Sequence, residues 1–209
     1  MDPYDELDAA VTHERQGEVD DALAHYRAAE SLAGDDAWLL SEVLRRQAYL
    51  HHARSEWDTS LALAQRASTA ASSAGLGDQH AEALIAMAWV HVARGSFGDA
   101  VPELERVATL TEDPRITGLA LHNLGSIAAE RGEWDCARAY FMESVRRFQS
   151  AGYERGVAFA HNNYGRAALD HGNFALAADL LQQAVSSAKR AADADLLALA
   201  IMNRAEALA

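Results

Sequence analysis

The chain has 209 residues with a formal net charge of −13, half of its residues are apolar, and only three are proline. This composition excludes global disorder, and its abundant alanine with little proline favours helix. The negative charge, with Lys189 as the only lysine, argues against direct binding to nucleic acid.

The cellular setting follows from three further observations. No run of 18 apolar residues occurs, so the sequence predicts no membrane span. The acidic start, MDPYDELDAA, does not resemble a secretory signal. Cys136 is the only cysteine, which rules out an internal disulfide. We therefore expect a cytoplasmic protein.

A short motif recurs along the chain: a small residue, an aromatic or apolar residue two positions later, and a second small residue. Its copies are GEVDDA (17–22), SEWDTS (55–60), GSFGDA (95–100), GEWDCA (132–137) and GNFALA (172–177), at spacings of 38, 40, 37 and 40 residues. Each copy stands between two segments with helical hydrophobic periodicity. The motif therefore predicts a turn between two helices, with glycine ending the first in a left-handed cap.

A second set of breaks separates one helix pair from the next: Gly34, 73–78, 112–114, 150–156 and 191–195. The sequence thus predicts a single all-α domain of stacked helix pairs, since neighbouring pairs bury faces that no single pair could cover. The predicted units are approximately 3–34, 35–75, 76–113, 114–152 and 153–192, with a terminal helix at 194–208. An irregular helical bundle with evenly spaced turns is the alternative.

The small residues predict close packing between the paired helices. Gly125 and Gly165 in first helices, and Ala137 and Ala177 in second helices, should let the two backbones approach each other. We expect the aromatic residue of each turn to fill the space beside it: Trp57, Phe97, Trp134 and Phe174.

The segment LHNLGSIAAERGEWDCARAYF (121–141) resembles the tetratricopeptide repeat, which has Leu-Gly in its first helix, Gly-x-aromatic at the turn and Ala in its second helix. The resemblance covers essentially the whole chain and is best at 118–190. It implies a right-handed α-solenoid with a C-terminal capping helix. The period is near 40 rather than about 34, and the proline expected at each unit's end is mostly missing. Both departures resemble a longer bacterial variant found in sensor domains of transcriptional activators and in peptide-pheromone receptors.

Catalytic and metal-binding motifs are absent from the sequence, which contains no GxxxxGK[ST], HExxH, GxSxG or CxxC. His13, His51 and His91 each precede the Gly or Ser of a turn by four residues, and we expect them to pack there with one hydrogen bond. Cys136 is expected to be a buried, inert thiol. We therefore predict neither an enzyme nor a metal or cofactor site.

Asparagine recurs at intervals of forty, at Asn123, Asn163 and Asn203, in the first helices that should line the concave groove. Asn carries both a donor and an acceptor, as a peptide backbone requires. In peptide-binding tetratricopeptide domains Asn at this place holds the ligand backbone, and the resemblance implies the same role here. The alternative is a tolerated polar residue on a solvated face. Their predicted neighbours in the groove are His122, Asn162 and Arg166.

A second candidate site combines aromatic and cationic residues. Tyr49 and Trp89 are also forty apart, and Arg45 and Arg46 lie one turn from the tyrosine. Aromatic side chains beside arginine are effective anchors for a partner. In a slightly rotated register Trp89 would instead be buried.

Three functions fit this sequence. The first is a non-catalytic scaffold that binds a protein or peptide in its concave groove. The second is a regulatory sensor domain that binds a small effector or signalling peptide, which predicts a closed apolar pocket. The third is an assembly protein that forms a homodimer through its apolar terminal helix.

Overall fold

The computed structural model describes residues 2–208, and every regular element within them is an α-helix. The helices are α1 (Pro3–Gln16), α2 (Val19–Leu32), α3 (Ala37–Ala53), α4 (Trp57–Ser73), α5 (Gly77–Ala93), α6 (Phe97–Val107), α7 (Pro114–Glu130), α8 (Trp134–Ser150), α9 (Glu154–Asp170), α10 (Phe174–Arg190) and α11 (Ala194–Ala207). Five helix pairs and a terminal helix occur where the sequence predicts them, so the predicted all-α array is confirmed. None of the helices in 2–208 combines the length and apolar character needed to cross a bilayer.

The turn within each pair is closed by one repeated backbone hydrogen bond. The N–H of Glu18 donates to the carbonyl oxygen of His13 at 2.9 Å, and the N–H of Glu56 donates to that of His51 at 2.9 Å. The three later turns have the equivalent bond. This geometry needs a left-handed residue just before the donor. Four turns supply glycine there, whereas the second supplies Ser55 at a φ of 60°.

Replacing Ser55 by glycine should stabilise the protein. A side chain in the left-handed region costs about 1–2 kcal/mol, and glycine avoids that cost. We expect Ser55→Gly to raise the free energy of unfolding in urea by about 1 kcal/mol. The reverse change at the equivalent position, Gly95→Ser, should lower it. A Ser55→Gly variant no more stable than the wild type would contradict this account.

Close approach of paired helices depends on positions without a Cβ atom. A Cβ on Gly165 would lie 2.7 Å from Leu181 Cγ, and one on Gly125 would lie 3.0 Å from the Phe141 ring. Both distances are shorter than ordinary van der Waals contact. The predicted close approach at these two glycines is therefore confirmed.

A methyl group at the tightest of these contacts should destabilise the fold. We expect Gly165→Ala to lower the free energy of unfolding by about 1–3 kcal/mol, because Leu181 must move out of a packed core. The matched control is Gly98→Ala in α6, since a Cβ there meets nothing within 4 Å. Urea denaturation of both variants measures the difference, and equal stabilities would refute the packing argument.

The helices cluster into two compact units, one ending at Thr111 and the other beginning at Glu112. In the first unit each helix packs on its neighbours in sequence, and α3 also contacts α5. In the second unit α9 contacts both α7 and α11. These three first helices therefore lie side by side, and we call the surface that they form the first-helix face.

The aromatic residue of the fourth turn, Trp134, packs against the following helix pair. The Trp134 ring stacks on His171 with 4.5 Å between centroids and lies 6.0 Å from the Tyr164 ring. Phe174, at the next equivalent position, is 60% exposed, so the expectation that it fills a space is wrong. Tyr164 is a ring that lies beside Trp134, and the equivalent residue forty positions later is Arg204. The terminal helix therefore has no ring at that position to cover Phe174.

Candidate functional site

A chain of side-chain hydrogen bonds crosses the first-helix face. Asn203 Nδ2 donates to Asn162 Oδ1 at 2.9 Å, and Asn162 Nδ2 donates to Asn163 Oδ1 at 3.0 Å. Asn163 Nδ2 lies 3.1 Å from His122 Nε2, the ring nitrogen that can accept its proton. We call this series the amide chain. It joins α11, α9 and α7, and it links two of the three predicted asparagines, Asn163 and Asn203, through Asn162.

Two of the predicted site residues lie behind this face. His122 and Asn162 are each 2% exposed, so they hold Asn163 in place and cannot contact a ligand from outside. Burial lowers the pKa of His122 to about 4, so its ring is neutral at pH 7. A neutral ring can accept from Asn163, whereas a protonated ring could not.

The three predicted asparagines differ in what they offer. Asn163 is half-buried, and each of its amide atoms has one partner, which leaves a second N–H and a second lone pair. Asn123 Nδ2 donates to the Leu119 carbonyl oxygen of its own helix at 2.8 Å. Asn203 is also half-buried and donates to Asn162. Asn163 is therefore the best placed of the three to contact a peptide group.

A pocket of about 370 Å³ opens beside Asn163. We call it the α7–α9 pocket, and it is bounded by those two helices and by Trp134 and Phe141 of α8. Its polar lining residues are Ser126, Glu130, Asn163, Arg166, Asp170 and His171. Arg166 is fixed by ion pairs to Asp170 at 3.1 Å and Glu206 at 2.7 Å. The pocket thus combines an aromatic wall with positioned hydrogen-bonding groups.

The predicted aromatic pair of the first unit does form. The Tyr49 and Trp89 ring centroids are 4.9 Å apart, and the Arg45 guanidinium lies 5.2 Å from the Tyr49 centroid. Both rings are half-buried. Whether they anchor a partner stays a prediction.

The arginines of that site are bound by carboxylates of the protein itself. Arg45 and Arg46 both bond Glu42 at 2.5 Å, and Arg46 also pairs with Glu14 at 3.2 Å. Burial alone would raise the pKa of Glu42, but the two arginines lower it below its usual value. The cluster therefore stays charged and satisfied internally, which leaves less cationic character for a ligand than the sequence predicts.

Two of the turn histidines, His13 and His51, each bond a glutamate of the turn that follows them. His13 Nδ1 lies 2.6 Å from Glu18 Oε2, and His51 bonds Glu56 in the same way, so each turn is tied by side chain as well as backbone. His91 lies 3.6 Å from Glu103.

The prediction that Cys136 is a buried thiol is wrong, because this residue is exposed. It lies in the first turn of α8, one residue before the position that points into the core.

Comparisons with known proteins bear on the family and the fold. A tetratricopeptide repeat family model matches residues 117–190, which confirms the predicted resemblance in that segment. No curated protein matches the sequence.

Solved structures extend the likeness to nearly the whole chain. A Rap protein complexed with Competence and Sporulation Factor matches with a TM-score of 0.82 at 17% identity, over 93% of this chain and 56% of that one. The apo quorum sensor NprR from B. thuringiensis matches with a TM-score of 0.76 at 15% identity, over 96% of this chain and 58% of that one. BtubC (BKLC) from P. vanneervenii matches with a TM-score of 0.72 at 18% identity, over 93% of this chain and 82% of that one. At these identities the likeness is one of fold, and this chain spans little more than half the length of the Rap and NprR chains.

Acid should destabilise the protein partly through His122. Burial lowers the pKa of His122 from 6.5 to about 4, so between these values the unfolded chain binds the proton more tightly than the folded one. The free energy of unfolding therefore falls as pH drops from 6.5 towards 4, with a contribution of about 2 kcal/mol at pH 4.5.

His122→Gln tests this contribution, since Gln retains an acceptor for Asn163 but does not titrate. Urea unfolding at pH 7 and pH 4.5 should show a smaller acid loss in the variant than in the wild type. His161, which is also buried, contributes to the acid loss equally in the wild type and the variant. Identical losses would show that His122 does not carry the effect.

Proposed function

We propose that this chain is a non-catalytic binding scaffold whose second unit holds an extended peptide or partner-protein segment in the α7–α9 pocket. The observation that carries the proposal is the position of Asn163. It lines the pocket, is held by the amide chain, and retains one donor and one acceptor. A peptide unit offers the complementary acceptor and donor.

The rest of the pocket supports a peptide more than a small apolar effector. Trp134, which is half-buried, provides apolar area for a ligand side chain. The lining has two carboxylates, Glu130 and Asp170, and one guanidinium, Arg166, so a strongly acidic segment is disfavoured. The mixed lining differs from the closed apolar pocket that a small effector requires. The Rap protein of similar fold is complexed with Competence and Sporulation Factor, and this likeness in fold supports a binding role for the present chain.

The proposed setting and partners follow the sequence predictions. The scaffold acts in a bacterial cytoplasm, binds a protein or peptide, and needs no metal or cofactor. Arg166 lines the pocket and is 43% exposed, compared with 12% for Arg45 and 28% for Arg46, so part of its guanidinium remains open to a ligand although two ion pairs fix it.

Selection from a random peptide library tests the proposal. We expect the wild-type protein to enrich a peptide family whose members bind the double variant Asn163→Ala/Arg166→Ala at least about tenfold more weakly, since lost hydrogen bonds to polar and charged groups cost about 1.5–3 kcal/mol. The matched control is Gln65→Ala/Arg66→Ala on α4, which also removes an amide and an arginine. Failure to enrich any family, or equal binding by the Asn163/Arg166 variant, would overturn the proposal.

A specific observation also favours self-association as a second candidate. Ile201 of α11 and Leu208, the residue that directly follows this helix, are 51% and 62% exposed. The residues forty positions earlier, His161 and Ala168, are 6% and 0% exposed. Ile201 and Leu208 are therefore exposed at repeat positions whose counterparts in α9 are buried. We propose that α11 of a second copy covers them in a homodimer.

Sedimentation velocity decides this second candidate. Wild type should sediment as a dimer at micromolar concentration, and Ile201→Glu/Leu208→Glu should sediment as a monomer, because charges would be buried in the interface. Phe174→Glu, which alters an equally exposed apolar residue outside α11, should remain dimeric. A monomeric wild type would exclude the homodimer.

A further inference from the structure

A second cavity, of about 170 Å³, lies between α8, α9 and α10 and shares no lining residue with the α7–α9 pocket. Apart from Val157 its lining residues are polar, and they include one arginine, Arg190, and no carboxylate. The chain as a whole has 31 acidic and 18 basic residues, so a lining with a cation and no carboxylate differs from the overall charge. We call it the α8–α10 cavity.

One buried group in the cavity wall has unused hydrogen-bonding capacity. His161 lines the cavity and is 6% exposed, yet neither ring nitrogen has a partner among residues 2–208, and Nδ1 is fully buried. Burial and the charge of Arg190 lower the pKa of His161 to about 4, so the ring is neutral at pH 7. A buried polar group without a partner costs stability, which a ligand that bonds it would recover.

Arg190 is positioned with most of its donors uncommitted. Its Nη2 donates to Ser187 Oγ at 2.8 Å and lies 3.0 Å from Glu154 Oε2 in an ion pair. Within 2–208 its Nε and Nη1 have no partner. The Glu154 contact therefore fixes the guanidinium while three N–H groups remain for a ligand.

We propose that the α8–α10 cavity binds the carboxylate of a small organic acid, held by Arg190 and by neutral donors from His161, Ser187 and the side-chain amides of Gln149 and Gln182. Planar carboxylates match the guanidinium fork, which can donate two parallel N–H bonds. The cavity is smaller than the roughly 300–1,000 Å³ of drug-sized ligand sites, so it selects small acids.

Charge distinguishes a carboxylate from a phosphate in this cavity. Arg190 supplies the one positive charge of the lining, and its ion pair with Glu154 already offsets part of that charge. Phosphate, which carries about −1.5 to −2 at neutral pH, would therefore be repelled by Glu154 more strongly than a singly charged carboxylate. A singly charged acid is therefore preferred.

The test is an NMR titration of the histidine ring protons at pH 7 with acetate, in sodium chloride at matched ionic strength. We expect a saturable shift of the His161 resonance and no comparable shift of His122, which is buried outside the cavity. Arg190→Gln should weaken acetate binding at least about tenfold, as expected for the loss of a charged hydrogen-bonding group. The control is Arg138→Gln, since Arg138 and Arg190 are 53% and 55% exposed and both are ion-paired. It should bind acetate as the wild type does.

Two further probes define the ligand. Inorganic phosphate should bind more weakly than acetate, and tighter binding would overturn the assignment to a carboxylate. N-acetyl-diglycine, which presents a peptide's terminal carboxylate, should bind no better than acetate if the site takes a small free acid. A non-saturable response equal to that of sodium chloride, or unchanged binding by Arg190→Gln, would show that the cavity holds water alone and refute the proposal.

Discussion

The distance between paired helices is the constraint on which the rest of this structure depends. At Gly125 and Gly165 the first helix approaches the side chains of the second so closely that a single methyl group would collide. That approach buries Phe141 and Leu181 almost completely and places α7 and α9 next to each other. The α7–α9 pocket exists because these two helices meet at a fixed separation, with the rings of α8 forming its wall.

The turn chemistry explains why the positions of the turns between helices could be predicted from the sequence. A glycine in the left-handed conformation must end one helix, and the residue after it must satisfy a carbonyl of the last turn. Such local rules depend only on residues a few positions apart, so the sequence contains them fully. Ser55 and Ala192 are the exceptions, since both adopt positive φ without being glycine, and only the repeat spacing points to a turn there.

The candidate site was predicted less well, because it depends on partners distant in sequence. The spacing of Asn123, Asn163 and Asn203 places them on one face, but it does not reveal that Asn162 and His122 would bind their amides. Likewise Arg45 and Arg46 look cationic in sequence, whereas in the fold both pair with Glu42, and Glu82 and Glu14 each pair with one of them. A signal was available for Arg46, since Glu42 precedes it by four residues and such pairs face each other on a helix. For the amide chain no comparable signal exists.

Among residues 2–208, the main helix–helix contacts within each unit join helices that are at most two apart along the chain. Folding of such a topology closes only short loops, which favours rapid formation from several starting points. It also means that an outer helix can detach without disturbing the opposite end of its unit. Opening of α11 would break its bond to Asn162 while leaving the packing of α7 on α8 intact. Amide hydrogen exchange in the second unit should accordingly form a gradient along the chain, fastest in α11 and slowest in the helices that have neighbours on both sides.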